Sequence, residues 1–457
     1  MPEKADHAVR FEVGMTATYT IYALSSGAGR SGVAVIRISG PSVATLLGEF
    51  TGTLPAPRDF ALRSIRDPSS GEVLDKGIAV WLPAPRSFTG EDCAELHLHG
   101  SPAVVSAVLD ALGTFAGVRP AEAGEFTRRA FLNGKMDLVE VEGLADLLEA
   151  RTANQRRQAF RQMSGLASGI IEAWRRQLLL IRADIEAAVD FADEPGVAEE
   201  AAAGIDARIS LLLAEISAAV EASAVAEVVR DGVRVVLAGR PNTGKSSLLN
   251  AMARRDAAIV SDVPGTTRDS IEVSLDIHGV PVVLTDTAGL RTEASDAVEE
   301  EGIRRSLQRI SEADIVIWIW SPDVEGSADP IDHVPDIIVR CKSDLSSGLS
   351  RNECSDTGLS ISTRTGEGIP LFIEHLSALL RRRYGVVESS VLVSARQVSA
   401  ARSSIRFLND ALKTPSGHLE LKAEEIQRVS DEISRLTGRI GVEEWLGTIF
   451  SRFCIGK

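Results

Sequence analysis

Nine residues, Gly239 to Ser247 in the order GRPNTGKSS, constrain this chain more than any other stretch. They follow an apolar run, Val233 to Ala238, and open a helical pattern, Leu248 to Met252. Strand, glycine-rich turn and helix is the setting in which a backbone closes around phosphate. Gly239 and Gly244 let successive amide N–H groups and a helix N-terminus point at one anion. Lys245 supplies a point charge for the outer phosphates, and the Ser246 hydroxyl is placed to bind Mg²⁺. Around the loop, strand-like runs alternate with helical ones: Val233–Ala238, Pro281–Thr285, Ile315–Trp320, Asp336–Cys341 and Leu359–Ser362. That order predicts a mostly parallel sheet covered on both faces.

Further motifs follow in an order that fixes the chemistry. The run DVPGTTRD, Asp262 to Asp269, offers a threonine that completes Mg²⁺ coordination when a γ-phosphate is present, which makes it a switch. In Asp286-Thr287-Ala288-Gly289, Asp286 is expected to hold the metal through a water, and the Gly289 amide to sense the γ-phosphate. Cys341-Lys342-Ser343-Asp344 occupies the place of a guanine-reading motif. The Asp344 carboxylate accepts two N–H groups that guanine offers and adenine lacks, so GTP is expected over ATP. A loop at Ser362 to Gly366 is expected to support the base edge. Together these motifs describe a P-loop GTPase domain. Leu290 stands where a small GTPase carries a water-positioning glutamine, so the acidic run Glu299-Glu300-Glu301 is the expected substitute. The Asn242 carboxamide, with loop carbonyls, is suited to a monovalent cation in place of an arginine finger.

A chain of 457 residues is too long for one core. The sequence divides into an N-terminal α+β domain at 1–134, a helical segment at 135–229, the GTPase domain at 230–383, and a second helical segment at 384–457. The fold class expected is multidomain α/β plus α, with the GTPase domain inserted into one long-helix bundle. Residues 1 to about 17 read as a poorly ordered extension. Alternating runs at Thr20–Ala23, Val33–Ile38, Gly77–Leu82 and Ala94–His99 predict strands, and Pro102 to Phe115 a helix. Arg37, Glu95 and Lys135 are odd residues for such a domain. Each alone fits a solvated face; together they suit a small anionic ligand with an amide-like heterocycle, Glu95 accepting ring N–H groups. His97 and His99 are read as structural, since no third metal ligand accompanies them.

Residues 137 to 193 lack proline and carry two series of apolar residues at helical spacing. One of those helices bears Arg151, Arg156, Arg157 and Arg161, either a solvated face or a contact for RNA or a partner. The net charge of −15 argues against broad adhesion to nucleic acid. Four scattered cysteines, Cys93, Cys341, Cys354 and Cys454, suit a reducing compartment without structural zinc. No run reads as a membrane span, and Glu3, Lys4, Asp6 and Arg10 do not make a signal peptide, so a cytoplasmic location is expected.

Along nearly its whole length the sequence resembles one family, the bacterial and organellar tRNA-modification GTPases called MnmE or TrmE. The resemblance is carried by VAVIRISG, RSFTGEDCAELHLHGS, GEFTRRAFLNGKMDL, GRPNTGKSSLLN, DVPGTTRDS, DTAGLR, RTGEG and the terminal FCIGK. It implies a homodimer acting with the flavin-dependent partner MnmG (GidA). The pair is expected to add an aminomethyl-type group at carbon 5 of the wobble uridine of certain tRNAs, with a tetrahydrofolate derivative as one-carbon donor. The hydrolysis of GTP is expected to need K⁺ and pairing of GTPase domains. By motif, the resemblance assigns the folate to Arg37, Glu95, Lys135 and Lys457. It assigns K⁺ to Asn242, Ser261, Val263 and Thr266, and Mg²⁺ to Ser246 and Thr267. GTP is assigned to the loop residues Asn242, Thr243, Gly244, Lys245, Ser246 and Ser247. Ser261, Asp262, Val263, Pro264, Gly265, Thr266 and Thr267 of the first switch join them. So do Asp286, Thr287, Ala288 and Gly289, with Lys342 and Asp344 at the base. Glu299 is assigned the catalytic water and Cys454 the modification chemistry. The sequence departs from the family at Cys341, where asparagine is usual, at Thr363 for alanine, and at Tyr19 for aspartate. A ribosome-assembly or regulatory switch without modification chemistry is the alternative. The Arg37–Glu95–Lys135 set and the Cys454–Lys457 tail favour the modification enzyme.

Overall fold

Strict alternation over Val33–Ile38 and Ala94–His99 calls for strands with one buried face, and the structure, a computed structural model, places both in one sheet. It describes residues 19–190, 197–255, 272–286, 304, 307–327, 334–345, 358–384, 390–415, 417–440 and 443–457. The N-terminal extension, Ser261 to Thr267, Thr287 to Gly289 and Glu299 lie outside these residues. The chain packs as two units, residues 1–145 with 434–457, and residues 146–433.

In the first unit, strands β1 (Thr20–Leu24), β2 (Ser31–Ser39), β3 (Ala61–Arg66), β4 (Val73–Leu82), β5 (Cys93–Gly100) and β6 (Val118–Pro120) form one sheet. Their order is β3-β4-β5-β2-β1-β6, antiparallel except for the β1–β6 pair. Helices α1 (Val43–Thr51) and α2 (Pro102–Gly113) supply Leu46, Leu47, Phe50, Val108 and Leu112 to a core that also buries Ile36, Ile38, Leu96 and Leu98. The period of two therefore sends Arg37 and Glu95 to the opposite face. Helices α3 (Glu125–Leu132), α4 (Leu138–Glu149) and α12 (Glu443–Ser451) complete the unit. Leu138, Val141 and Ala145 pack on Ile449, Phe450 and Phe453, which groups the C-terminal residues with the N-terminal sheet.

The second unit holds α5 (Ala153–Met163), α6 (Leu166–Asp190), α7 (Val197–Asp231), α10 (Ala395–Lys413) and most of α11 (Leu419–Thr437). The proline-free stretch from 137 is thus three helices rather than two. The break before α5 is chemical. Thr152 Oγ1 accepts from the Gln155 amide at 3.2 Å, and Gln155 Oε1 accepts from the Thr152 amide at 3.1 Å, a capping box. Contrary to the expectation that no run reads as a membrane span, residues 204–231 of α7 are long and apolar enough, by length and composition, to cross a membrane. In the bundle their Ile205, Ile209, Leu212 and Ile216 are buried, and α7 packs against α6 and α10.

Between α7 and α10 the chain forms a second sheet from β7 (Val233–Ala238), β8 (Glu272–Ile277), β9 (Val280–Asp286), β10 (Ile315–Trp320), β11 (Ile337–Arg340) and β12 (Gly358–Ser360). Its order is β12-β11-β10-β7-β9-β8, parallel except for β8. Helices α8 (Lys245–Arg255) and α9 (Ile369–Tyr384) bury Leu248, Leu249, Met252, Phe372 and Leu376 against it.

Inside the bundle Lys422 is fully buried, and its ammonium pairs with Asp206 of α7. Leaving the buried Lys422 ammonium without a partner costs more than leaving the partly exposed Asp206 carboxylate without one. Asp206→Ala is expected to destabilise the protein by about 2–3 kcal/mol, and Lys422→Met by less than about 1 kcal/mol. Urea midpoints measure both, and equal losses would contradict the argument.

Candidate functional site

Strand β7 lies between β10 and β9, so its C-terminal end opens at the middle of a parallel sheet, where such folds bind ligands. The loop that leaves it is shaped by three left-handed residues, Gly239 (φ 148°), Asn242 (φ 62°) and Gly244 (φ 106°). A β-carbon on Gly239 would stand 2.2 Å from the Ile319 carbonyl oxygen, so glycine alone fits there. Buried Thr243 donates to the Arg240 carbonyl at 2.9 Å. Lys245 is also buried, and its ammonium donates to the carbonyls of Gly239 and Arg240, each at 3.0 Å. Burial pushes its pKa down, opposed by Asp286. The loop thus holds a partly desolvated cation whose hydrogen bonds go to neutral carbonyls, a strong attractor for polyphosphate.

Asp286 ends β9 beside the loop. Ser246 Oγ donates to its Oδ2, while its Oδ1 is buried with no hydrogen-bond partner among the described residues. Burial raises the pKa of this carboxyl, against the pull of Ser246 and Lys245. An orphaned carboxylate oxygen next to a hydroxyl is a hard-oxygen donor set, the kind Mg²⁺ takes with phosphate and water. The residues present fit that ion. Of the residues assigned to K⁺, Asn242 lies in the loop; Ser261, Val263 and Thr266 lie outside the described residues.

Asp344 sits in a single 3₁₀ turn, Ser343–Leu345, after β11. Ser362 Oγ donates to its Oδ1 at 2.8 Å, and Arg364 approaches its Oδ2 at 3.8 Å. Lys342 adopts φ 56° and donates to Asp323 Oδ2 at 2.6 Å. Sequence reasoning missed Asp323; its signal is the Ser321-Pro322-Asp323 turn directly after a buried strand. Cys341 is buried behind the loop, its Sγ 3.5 Å from where a Gly244 β-carbon would be. Its side chain makes no hydrogen bond among the described residues, so it packs the loop where an asparagine would brace it.

A second cluster lies in the first unit. Arg37 on β2 is directly opposite Glu95 on β5, and donates to Glu95 Oε1 from Nε (3.1 Å) and Nη2 (2.9 Å). His97 Nε2 meets the other oxygen at 3.1 Å. Burial pushes the Glu95 pKa up, but Arg37 and His97 outweigh it and hold the carboxyl below its ordinary value. The Arg37 guanidinium also lies 5.1 Å from the Phe88 ring centroid and 5.9 Å from that of Phe126. The C-terminal tail comes to the same place. Ile455 bridges Ala123, and Ser25 donates to the Gly456 carbonyl at 2.8 Å. Any β-carbon on Gly456 (φ 103°) would meet the Leu24 carbonyl oxygen at 2.3 Å. Lys457 is half-buried there; burial and then Arg37 lower its pKa, against Glu95 and Cys454. Arg37, Glu95 and Lys457 are therefore together, with exposed Cys454 three residues up the tail. Lys135 is tied instead to the loop that carries Phe88, donating to the Pro85 carbonyl at 3.0 Å. His97, read as structural, is part of the cluster through Glu95. Its signal was the two-residue spacing on one strand face.

Residues 138–454 match the family described as MnmE helical domain, and residues 20–135 match GTP-binding protein TrmE N-terminus. The chain is 49% identical over 444 residues to a tRNA modification GTPase MnmE of Methylobacterium sp. (strain 4-46), covering 96% of this chain and 100% of that protein. It is 48% identical over 445 residues to a protein of the same name from Rhizobium meliloti (strain 1021), covering 97% and 100%. Among solved structures, the G domain of the T. maritima FeoB iron transporter matches at 25% identity, covering 32% of this chain and 98% of that one. Its TM-score is 0.24, too low to carry an argument.

The thiols give a direct check on the loop. Burial pushes the Cys341 pKa up to about 12, so at pH 8 about one molecule in 10⁴ carries the thiolate. Native protein treated with iodoacetamide at pH 8 is expected to label Cys454 readily and Cys341 at least about 1,000-fold more slowly, until urea is added. Peptide mapping by mass spectrometry reads both; fast native labelling of Cys341 would mean that the loop is not packed on it.

Proposed function

The chain belongs to the MnmE (TrmE) family of tRNA modification GTPases, and on that premise we propose that it hydrolyses GTP as one half of a tRNA-modifying enzyme. The observation that carries the GTPase reading is the buried Asp286 Oδ1, without a partner among the described residues, beside Ser246 and the buried Lys245 ammonium. In this reading Lys245 and the loop amides hold the β- and γ-phosphates. Ser246 and Asp286 hold Mg²⁺, Asp286 through a water, with Thr267 joining when the γ-phosphate is present. Asp344, already oriented by Ser362, selects guanine. Asn242, with Ser261, Val263 and Thr266, holds K⁺ where another GTPase uses an arginine, and Glu299 orients the attacking water.

The finer reading follows the family. The protein works in the cytoplasm as a homodimer with the FAD-dependent partner MnmG, and the substrate is the wobble uridine of certain tRNAs. A tetrahydrofolate derivative supplies the one-carbon unit for the aminomethyl-type group at carbon 5. Glu95 is suited to ring N–H donors, Arg37, Lys457 and Lys135 to the anionic and carbonyl groups of the same ligand, and Cys454 to the modification step. Pairing of two GTPase domains across their phosphate loops couples hydrolysis to movement. Within the second unit the β8–β9 hairpin is attached to the start of α5. Arg151 Nη1 donates to Ser274 Oγ at 2.7 Å, and Asn154 lies against Gly279. Since β9 ends at Asp286, a shift at the phosphates has a direct path to the bundle.

Two measurements test this. GTP turnover at matched ionic strength is expected to be high in KCl, low in NaCl and lost in Asn242→Ala; equal rates in both salts would remove the cation mechanism. Binding of 5-formyltetrahydrofolate to the full chain is expected to weaken about tenfold or more in Glu95→Gln, the loss of a hydrogen bond to a charged acceptor. Unchanged affinity would move the folate elsewhere.

A further inference from the structure

The arginines of α5 and α10 are out of keeping with a chain of net charge −15. Helix α5 carries three arginines and no acidic residue, and α10 carries three arginines and a lysine against one aspartate. Arg156, Arg157 and Arg161 are exposed, and among the described residues none forms an ion pair with a carboxylate. Between them Phe160 is 55% exposed, an aromatic ring in solvent within an arginine set. Arg402 and Arg406, also exposed, line a cavity of about 460 Å³ with Ser399, Ser403 and one acid, Glu227. Both helices are fastened to the same turn of α7. Gln158 donates to the Ala226 carbonyl at 2.9 Å and Gln155 to the Arg230 carbonyl at 3.0 Å, while Glu227 of that turn faces the α10 cavity. Gln162 further ties α5 to the Val391 carbonyl just before α10, at 2.9 Å.

Exposed guanidinium groups that form no carboxylate ion pair among the described residues attract phosphates and release counterions. A solvent-facing ring among them offers a stack for a splayed base, the way single-stranded RNA is held. Small hydroxyl side chains beside Arg402 and Arg406 leave room for a backbone to enter. We propose that the α5 face and the α10 groove are an RNA-binding surface, taking phosphates on Arg156, Arg161, Arg402 and Arg406 and an unstacked base on Phe160. The proposal rests on the tRNA reading above and gives that substrate a place on the second unit.

Fluorescence anisotropy with an unmodified tRNA transcript tests it on the full chain. The double variants Arg156→Glu/Arg161→Glu and Arg402→Glu/Arg406→Glu are each expected to bind about tenfold or more weakly at moderate salt. Each is also expected to flatten the slope of log K against log salt by about 1–2. GTP turnover in K⁺ is expected to be unchanged, which shows that the variants fold. Phe160→Ala is expected to lose about tenfold for a single-stranded loop and little for a duplex. Wild-type affinity in all variants would overturn the surface and leave the tRNA reading standing. Absence of tRNA binding by the wild type would overturn both. Variants that keep tRNA but lose retention on polyglutamate would assign the patch to an acidic protein instead and overturn the RNA proposal.

Discussion

The nucleotide site depends on one close approach. Gly239 passes so near the Ile319 carbonyl that no β-carbon fits, and this contact lets the chain turn out of β7 without leaving the sheet's centre. Because the turn is tight, Lys245 is drawn into the loop and meets carbonyl oxygens instead of water. Because the next strand over is β9, Asp286 arrives beside Ser246 with one oxygen buried and, among the described residues, unbonded. A buried polar atom without a partner is costly, and in a functional site that cost is recovered when a ligand supplies the missing bond. The strand order thus brings the buried Lys245 ammonium and the Asp286 carboxylate to one point.

The first unit solves a related problem with different parts. Its sheet gives one face to an apolar core and the other to charge, and a bare arginine there would be poorly solvated. Glu95, directly opposite, neutralises Arg37, and two aromatic rings and the C-terminal tail cover the pair. Gly456 makes the covering fit, since a side chain there would strike β1. A lysine brought into that cover is held with its pKa lowered by burial and by Arg37, so it is a cation readily engaged by an anionic ligand.

What was legible in the sequence follows the physics that writes it. The GTPase motifs are legible because each glycine, lysine and aspartate answers a requirement of phosphate or guanine at fixed spacing. The parallel strands are legible because burial on both faces makes them continuous apolar runs. Arg37 and Glu95 stand out as charges inside strands. Less legible was β3, an edge strand in which only Ala61 and Ile65 are buried, and β6, three residues ending in proline. The break between α4 and α5 was written as Thr152-x-x-Gln155, yet helical periodicity on both sides hid it. The role of Asp323 needed the third dimension, since it acts on Lys342, brought near by the pairing of β10 with β11. Arginines on an exposed helix look like any solvated face until their lack of acidic partners among the described residues is known.

Cys341 shows where motif and packing part company. The motif position asks for a side chain that bonds the phosphate loop, and the thiol here offers only contact with Gly244. Guanine selection does not pass through that contact. In the proposed function it belongs to Asp344, whose carboxylate is held by Ser362 from a different loop. Loss of the brace therefore acts on the rigidity of the phosphate loop, and so on affinity for every nucleotide, while the preference for guanine over adenine stays with the carboxylate. In that function affinity and selectivity are separable because different strands carry them, β11 and β12 at the base and β7 at the phosphates.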